Sequence, residues 1–422
     1  MTSSATGVQP KNLVFATLSA GSAVFLLGVI ILVERTLGND VFGAFQWALS
    51  LATIGEALMD FGIHQVTIRS IARDRDSARR IFQNSLALKV LPGGLMFVVL
   101  GIVAFACWSE RDLRIACLLM LVGAGLRSYL MTIRGVLLGL ERFSDESLVV
   151  IGDRVVTLAA VAAALWMGAN LVGVCAAFVV ARMMSVAGGF VLAHRQVGPP
   201  KPAFERDIWR DLQINALPFG AFVVVLNVYN YVDTLFLGAM RGVAETGLYG
   251  EAYRLYEGFT YAPAILASVL IPRLSHLWAV DRVAHARLVR RSLAGTALLA
   301  LILGGAVWLL APMLLTLAFS PDAVAAVSAL RILAAGLVFI FTIWILHAAA
   351  ISVFGQQLML RTTIIGVIAN TGMNLWWIPR YGRDGAAWAT VGGEALTLVL
   401  LAVGLRHVWT KNAGRGVASA GV

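Results

Sequence analysis

The sequence predicts an all-α polytopic membrane protein, with about 12 transmembrane helices in two parallel six-helix lobes. Three observations carry this. First, 59% of the 422 residues are hydrophobic and only 13% are charged, where soluble domains carry about a quarter charged; mean hydropathy is +0.83. Second, the apolar residues gather into runs long enough to cross a bilayer as helix, which takes roughly 20 residues. No stretch alternates polar and apolar with a period of two, which argues against a transmembrane barrel. Third, the two halves of the chain share a sequence pattern.

By length, the spans fall near 12–33, 41–63, 84–108, 113–138, 147–167, 169–193, 212–238, 243–271, 291–317, 325–352, 360–379 and 384–407. The start, "MTSSATGVQPKNLVF", leads into a run too long for a cleaved signal and shows no small-residue cleavage pattern, so 12–33 reads as a retained span. With the N-terminus inside, 21 Lys and Arg fall on inner segments, from Lys11 through Arg69–Arg80 to Arg415. Six fall outside: Arg35, Arg111, Arg114, Arg241, Arg380 and Arg383. Positive residues are retained on the cytoplasmic side, so both termini are expected there, and the net charge of +10 reports loop bias, not a nucleic-acid partner.

"VFGAFQWAL" opens the second span and "ETGLYGEAY" the eighth. At an offset of 204, Gly43 aligns with Gly247, Phe45 with Tyr249 and Ala48 with Ala252. Later Gly139 matches Gly355, and Gly152 matches Gly366. An even number of spans per repeat makes the repeats parallel, and such two-lobe transporters place substrate between the lobes. The expected domains are a first lobe at 1–197, a cytoplasmic linker at 198–211 containing Pro199-Pro200, and a second lobe with a short tail at 212–422.

The sequence contains no Walker A motif, no HExxH and no GxSxG, and its loops are short, so neither an ATP-driven pump nor an enzyme is expected. No catalytic residues or metal ligands are assigned. Cys107, Cys117 and Cys175 lack ligand spacing and read as inert core thiols.

Ionisable groups inside a membrane are costly and face an interior or a wet cavity. Within the spans lie Lys89, Arg127, Arg154, Arg182, Arg254 and Arg331, with Glu56, Asp60, Asp153, Asp233, Glu251, Glu257 and Glu394. Glu251, Arg254 and Glu257 are three apart and form one helical stripe flanked by Tyr249, Tyr253 and Tyr256. That stripe is either an internal ion ladder or a cavity wall where Arg254 meets substrate anions and a Glu takes a proton. Glu56 and Asp60 lie one turn apart, with Lys89 as a partner in a salt bridge closing an inner gate. Arg127 and Arg182 have no acid at i±3 or i±4. They read as anion ligands, because a guanidinium binds phosphate with a two-pronged fork; the alternative is a partner on another helix, with Asp153 available. Asp233, Arg331 and Glu394 are weaker candidates for the same roles. Pro92, Pro218, Pro263 and Pro312, with Gly93-Gly94, Gly220 and Gly392-Gly393, read either as hinges or as ordinary membrane packing.

"LGNDVFGAFQWALSLATIGEALMDFGIHQVTIRSIARDR" resembles the opening of the Wzx-type lipid-linked oligosaccharide flippases, with Gly43, Phe45, Gly62 and Arg69–Arg73 in the family's positions. "AILASVLIPRLSHL", with Pro272 and Ser275, is similar to that family's span-eight exit. The resemblance implies the fold of the multidrug/oligosaccharidyl-lipid/polysaccharide (MOP) exporters, two bundles forming a MATE-like V around a central cavity. It also implies a polyprenyl-pyrophosphate oligosaccharide as substrate, flipped across a bacterial cytoplasmic membrane for O-antigen or exopolysaccharide export. Partner glycan-assembly proteins such as a polymerase would follow. Arg127, Arg182, Arg254, Lys89 and Arg331 would then meet the anionic head. Glu251, Glu257, Glu56, Asp60, Asp233 and Glu394 would gate or couple, with H+ or Na+ as coupling ion and no other cofactor. Two alternatives stay open: a cation-coupled multidrug exporter, and a non-transporting scaffold of glycan assembly.

Overall fold

In a computed structural model, residues 21–199, 201–353 and 355–418 are described. Every regular element among them is helical: α1 (Ala23–Leu37), α2 (Asn39–Asp60), α3 (Ile63–Arg73), α4 (Ala78–Leu88), α5 (Val90–Cys107), α6 (Arg111–Gly139), α7 (Phe143–Trp166) and α8 (Leu171–Val197). Then come α9 (Arg206–Arg241), α10 (Val243–Val280), α11 (Arg282–Ala318), a 3-10 turn (Pro321–Ala326), α12 (Val327–Ser352) and α13 (Gln356–Ala418).

Among the described residues ten helices are long and apolar enough to cross a membrane. The tenth, within α13, holds both of the last two expected spans, because the backbone breaks at Gly382, where φ is +56°. Glu245 accepts the Arg383 backbone N–H there at 2.9 Å and satisfies a helix-start donor. The expected first span begins outside the described residues; its described part, α1, has 15 residues. Several helices outrun the bilayer. The 38 residues of α10 span about 57 Å, against a hydrocarbon core of about 30 Å.

The chain divides into two compact units, one running to Asn227 and one starting at Val228. The division falls inside α9, past the expected linker at 198–211. The reason is local. Pro199 and Glu205 strap the segment before α9 to α4: Gln83 donates to the Pro199 carbonyl at 3.0 Å, and the Glu205 N–H donates to Asn84 at 2.7 Å. Beyond the strap, the first half of α9 packs against the turn between α2 and α3. A Cβ on Gly220 would collide with the Phe61 carbonyl, so this crossing requires glycine. Gly62, on the other side of it, has φ +78°.

In the first unit α6 is the central helix, packed against α2, α5, α7 and α8. In the second, α12 plays that part between α10, α11 and α13. Outward faces are apolar, with Val98 and Ile102 on α5 and Leu301, Ile302 and Leu309 on α11 exposed, as lipid-facing surfaces require. The register repeat is a structural one. Gly38 (φ +80°) precedes α2 and Gly242 (φ +89°) precedes α10, again 204 apart. Phe45, Tyr249, Ala48 and Ala252 are all 0% exposed. Helices continue through Pro218, Pro263 and Pro312. Gly392 faces Met373 and Gly393 faces Asn370 at close-packing distance. Cys117 and Cys175 are buried, but Cys107 is exposed, which corrects its reading as a core thiol; it is the last residue of α5.

Candidate functional site: two intramembrane polar clusters

Each unit holds a polar cluster among its helices. In the first unit four helices contribute one charge each. Arg127 sits midway along the central α6 and meets Glu56 of α2 through Nε, at 3.0 Å to Oε1 and 2.8 Å to Oε2. Its Nη1 lies 3.6 Å from Oδ2 of Asp153 on α7. That same oxygen takes a hydrogen bond from Arg182 of α8. Arg127 and Arg182 thus have acid partners on other helices, the alternative kept open for them, with Asp153 shared between the two. The acids come from other helices, as the cost of an unpaired buried charge demands. Burial divides the four charges into a closed pair and a more open pair. The Arg182 and Asp153 side chains are 7% and 4% exposed, while Arg127 is 31% and Glu56 19% exposed. The Arg182 guanidinium also lies over the Phe178 ring, 5.3 Å from its centroid.

One turn further along α2, Asp60 accepts a 2.6 Å bond from Lys89, which also donates to the Ser128 carbonyl at 2.7 Å. Lys89 is 0% exposed. The Asp60–Lys89 pairing agrees with the sequence reading; Glu56, by contrast, pairs with Arg127. Arg154, next to Asp153 on α7, points elsewhere and donates to Ser22 at 3.0 Å.

In the second unit the stripe on α10 places Arg254 against Glu257 at 2.7 Å, and Glu251 is fully buried. The remaining acids meet hydroxyls. Tyr249 donates to Asp233 of α9 at 2.5 Å, and Thr390 of α13 donates to the same oxygen at 3.2 Å. The Tyr256 hydroxyl donates to Glu394 of α13. Among the described residues the other Glu394 oxygen, Oε2, has no hydrogen-bond partner. Among the described residues neither Asp233 nor Glu394 forms a salt bridge, although they are 2% and 3% exposed. Tyr253 bridges the two phenols, 5.6 Å from Tyr249 and 5.9 Å from Tyr256 by ring centroid. Arg331 stands apart on α12: it donates to the Trp308 carbonyl at 3.1 Å and covers the Trp308 ring at 4.5 Å.

Sequence reasoning named Asp153 only as an available partner and Tyr249 and Tyr256 only as flanking aromatics, and it missed Ser128 and Thr390. The register match of Phe45 with Tyr249 was the available signal, since a phenol replaces a phenyl at one buried position. No group of three or more His, Cys, Asp or Glu among the described residues is placed to hold a metal ion.

Long apolar helices in two compact units, each with buried charges, describe a multi-pass membrane protein. The fold agrees with solved transporters. An inward-facing multidrug resistance MATE family transporter of the MOP superfamily matches with TM-score 0.72 and 16% identity, over 96% of this chain and 98% of that one. The lipid II flippase MurJ, in an inward closed conformation, matches with TM-score 0.74 and 12% identity, over 93% and 87%. A MOP superfamily transporter from Pyrococcus furiosus, described by a binding pocket of reverse polarity, matches with TM-score 0.63 and 15% identity, over 94% of each. The chain belongs to the polysaccharide biosynthesis protein family, whose model matches residues 11–278. No curated protein sequence matches it.

Proposed function

We propose that this chain is a flippase that carries a polyprenyl-pyrophosphate-linked oligosaccharide across the cytoplasmic membrane by alternating access, for surface polysaccharide export. The observation that supports it most is Arg127. It is an arginine midway along a central membrane helix, held by acids yet 31% exposed. A guanidinium kept at that depth in spite of its desolvation cost suits an anionic head group, and pyrophosphate supplies the matching pairs of oxygens. Arg182, buried behind Asp153, fixes that acid and with it the position of Arg127. The polyprenyl tail stays in lipid, and both termini face the cytoplasm. Membrane-bound glycan polymerases are the partners this role implies.

The coupling step belongs with Asp233 and Glu394. Acids held by neutral hydroxyls, with no cation paired to them, are suited to take up H+ or Na+. Glu257 and Asp60 already have Arg254 and Lys89 as partners. A MATE-type multidrug exporter is the second reading, favoured by the MATE transporters among the fold neighbours. A non-transporting scaffold is the third.

The test is surface glycan display in a host lacking its own flippase, with membrane levels matched. Arg127→Ala is expected to abolish display that the wild-type chain restores. Lowered dye accumulation in a host without a glycan pathway would favour the exporter. Full display by Arg127→Ala would remove Arg127 from the substrate site, and no display by the wild-type chain would favour the scaffold.

A further inference from the structure

The Arg127 cluster carries its own anion. Glu56 and Asp153 balance Arg127 and Arg182, so the four side chains sum to no net charge. A pyrophosphate that simply joined them would add uncompensated negative charge at mid-membrane, where the dielectric makes that costly. One carboxylate therefore has to leave as the head group arrives.

The geometry says which. Asp153 is closed in, 4% exposed and bonded to Arg182, while Glu56 is the more exposed of the two acids at 19%. Glu56 takes one hydrogen bond from Arg127, Nε–H to Oε1 at 3.0 Å, with Oε2 2.8 Å from the same nitrogen as an ion-pair contact. One such bond is a weaker attachment than two parallel N–H···O bonds from the guanidinium fork. A phosphate approaching Arg127 can take the fork-on arrangement that Glu56 does not use.

We propose that Glu56 is a built-in stand-in for the substrate phosphate. It occupies Arg127 in the unloaded protein, yields it to the pyrophosphate on binding, and reclaims it to drive release. The inference rests on the flippase reading for the chemistry of its ligand. It adds a role for Glu56 as a competitor, a positioning residue that sets how tightly the head group is held. Without it, the same arginine would retain the head group and slow turnover.

The test is direct binding of farnesyl pyrophosphate, a short isoprenyl pyrophosphate, to the purified full-length chain in nanodiscs, with farnesol as the headless control. Wild type is expected to bind the pyrophosphate and not farnesol, and Arg127→Ala to lose that binding. Glu56→Gln is expected to bind about fivefold more tightly, the worth of one partly exposed ion pair. Glu56→Asp keeps the charge but withdraws the carboxylate by one methylene, and it too is expected to bind more tightly. Export by both Glu56 variants is expected to fall although binding rises. Unchanged or weaker binding in the Glu56 variants, with Arg127→Ala still inactive in binding, would overturn the stand-in and leave the flippase reading in place. A gain with Gln alone would reduce the effect to net charge and also overturn it. Equal binding of farnesol, or no binding by any folded variant, would overturn the flippase reading and the stand-in together.

Discussion

At one register, 204 residues apart, α2 carries Phe45 and α10 carries Tyr249, both fully buried and both set behind a glycine with positive φ. Phe45 meets the Phe178 ring edge-on at 6.2 Å. Tyr249 has the same frame with one more oxygen, and that oxygen reaches Asp233. The residue at the register of Asp233 in the first unit is Val29, also fully buried. The Gly-x-aromatic frame is thus shared packing, while the polar chemistry was added to each unit separately. The first unit neutralises its acids with cations, Glu56 and Asp153 with arginines and Asp60 with Lys89. The second holds Asp233 and Glu394 with hydroxyls. Ion pairs suit a site that exchanges one anion for another; hydroxyl-held acids suit one that takes up a small cation.

The largest expected difference between the two lies in what removal of a partner does. Arg182→Ala leaves the buried Asp153 in the first unit with only the 3.6 Å contact to Arg127 and should cost about 3–5 kcal/mol of stability. Thermal unfolding in nanodiscs measures it. Replacing both members, Asp153→Leu with Arg182→Met, should recover most of that loss. A double variant as unstable as the single one would show that the pair is not what is being measured.

Tyr256→Phe in the second unit removes a neutral donor and should cost less, about 1–3 kcal/mol. The same variant should weaken any dependence of export on an ion gradient. A loss as large as that of Arg182→Ala would erase the distinction between the clusters. Phe45→Tyr sharpens the comparison from the other side. It installs the second unit's hydroxyl where the register partner is Val29, and burying it without an acceptor should cost about 1–2 kcal/mol. A neutral outcome would mean that the first unit already offers an acceptor.

The smallest effect is expected at the strap outside both clusters. Hydrogen bonds from Arg80 and then Asn84 hold the Glu205 carboxyl below its ordinary value of 4.5. A lowered pKa contributes stability above the ordinary value, and that contribution fades as pH falls through the lowered one. Proteolysis of residues 198–205 should therefore accelerate only in acid, and Glu205→Gln should flatten that response.

The membrane architecture was legible because lipid admits few polar side chains, so each span announces itself as an apolar run. The Gly43/Gly247 register gave the repeat for the same reason: positions buried in both copies keep the same small and aromatic residues. Helix-to-helix pairing was less legible. Spacing along one helix found Arg254 with Glu257, but Arg127 with Glu56 spans 71 residues and Arg182 with Asp153 spans 29. No periodicity encodes those. Hydroxyl partners were hardest to see, since Tyr249, Tyr256 and Thr390 carry no charge to mark them within an apolar run. Arg331 shows the converse. Its charge marked it as a ligand candidate, yet the structure sets it over Trp308.

The central claim is that Arg127 receives the pyrophosphate of a lipid-linked oligosaccharide during flipping. Purified chain reconstituted in liposomes with a fluorescent polyprenyl-pyrophosphate oligosaccharide measures this directly, as the rate at which label becomes accessible on the far leaflet. The wild-type chain should flip the lipid, and a folded Arg127→Ala protein should fall to the rate of empty liposomes. Equal flipping by the two proteins, or none by the wild type under an imposed H+ or Na+ gradient, would contradict it.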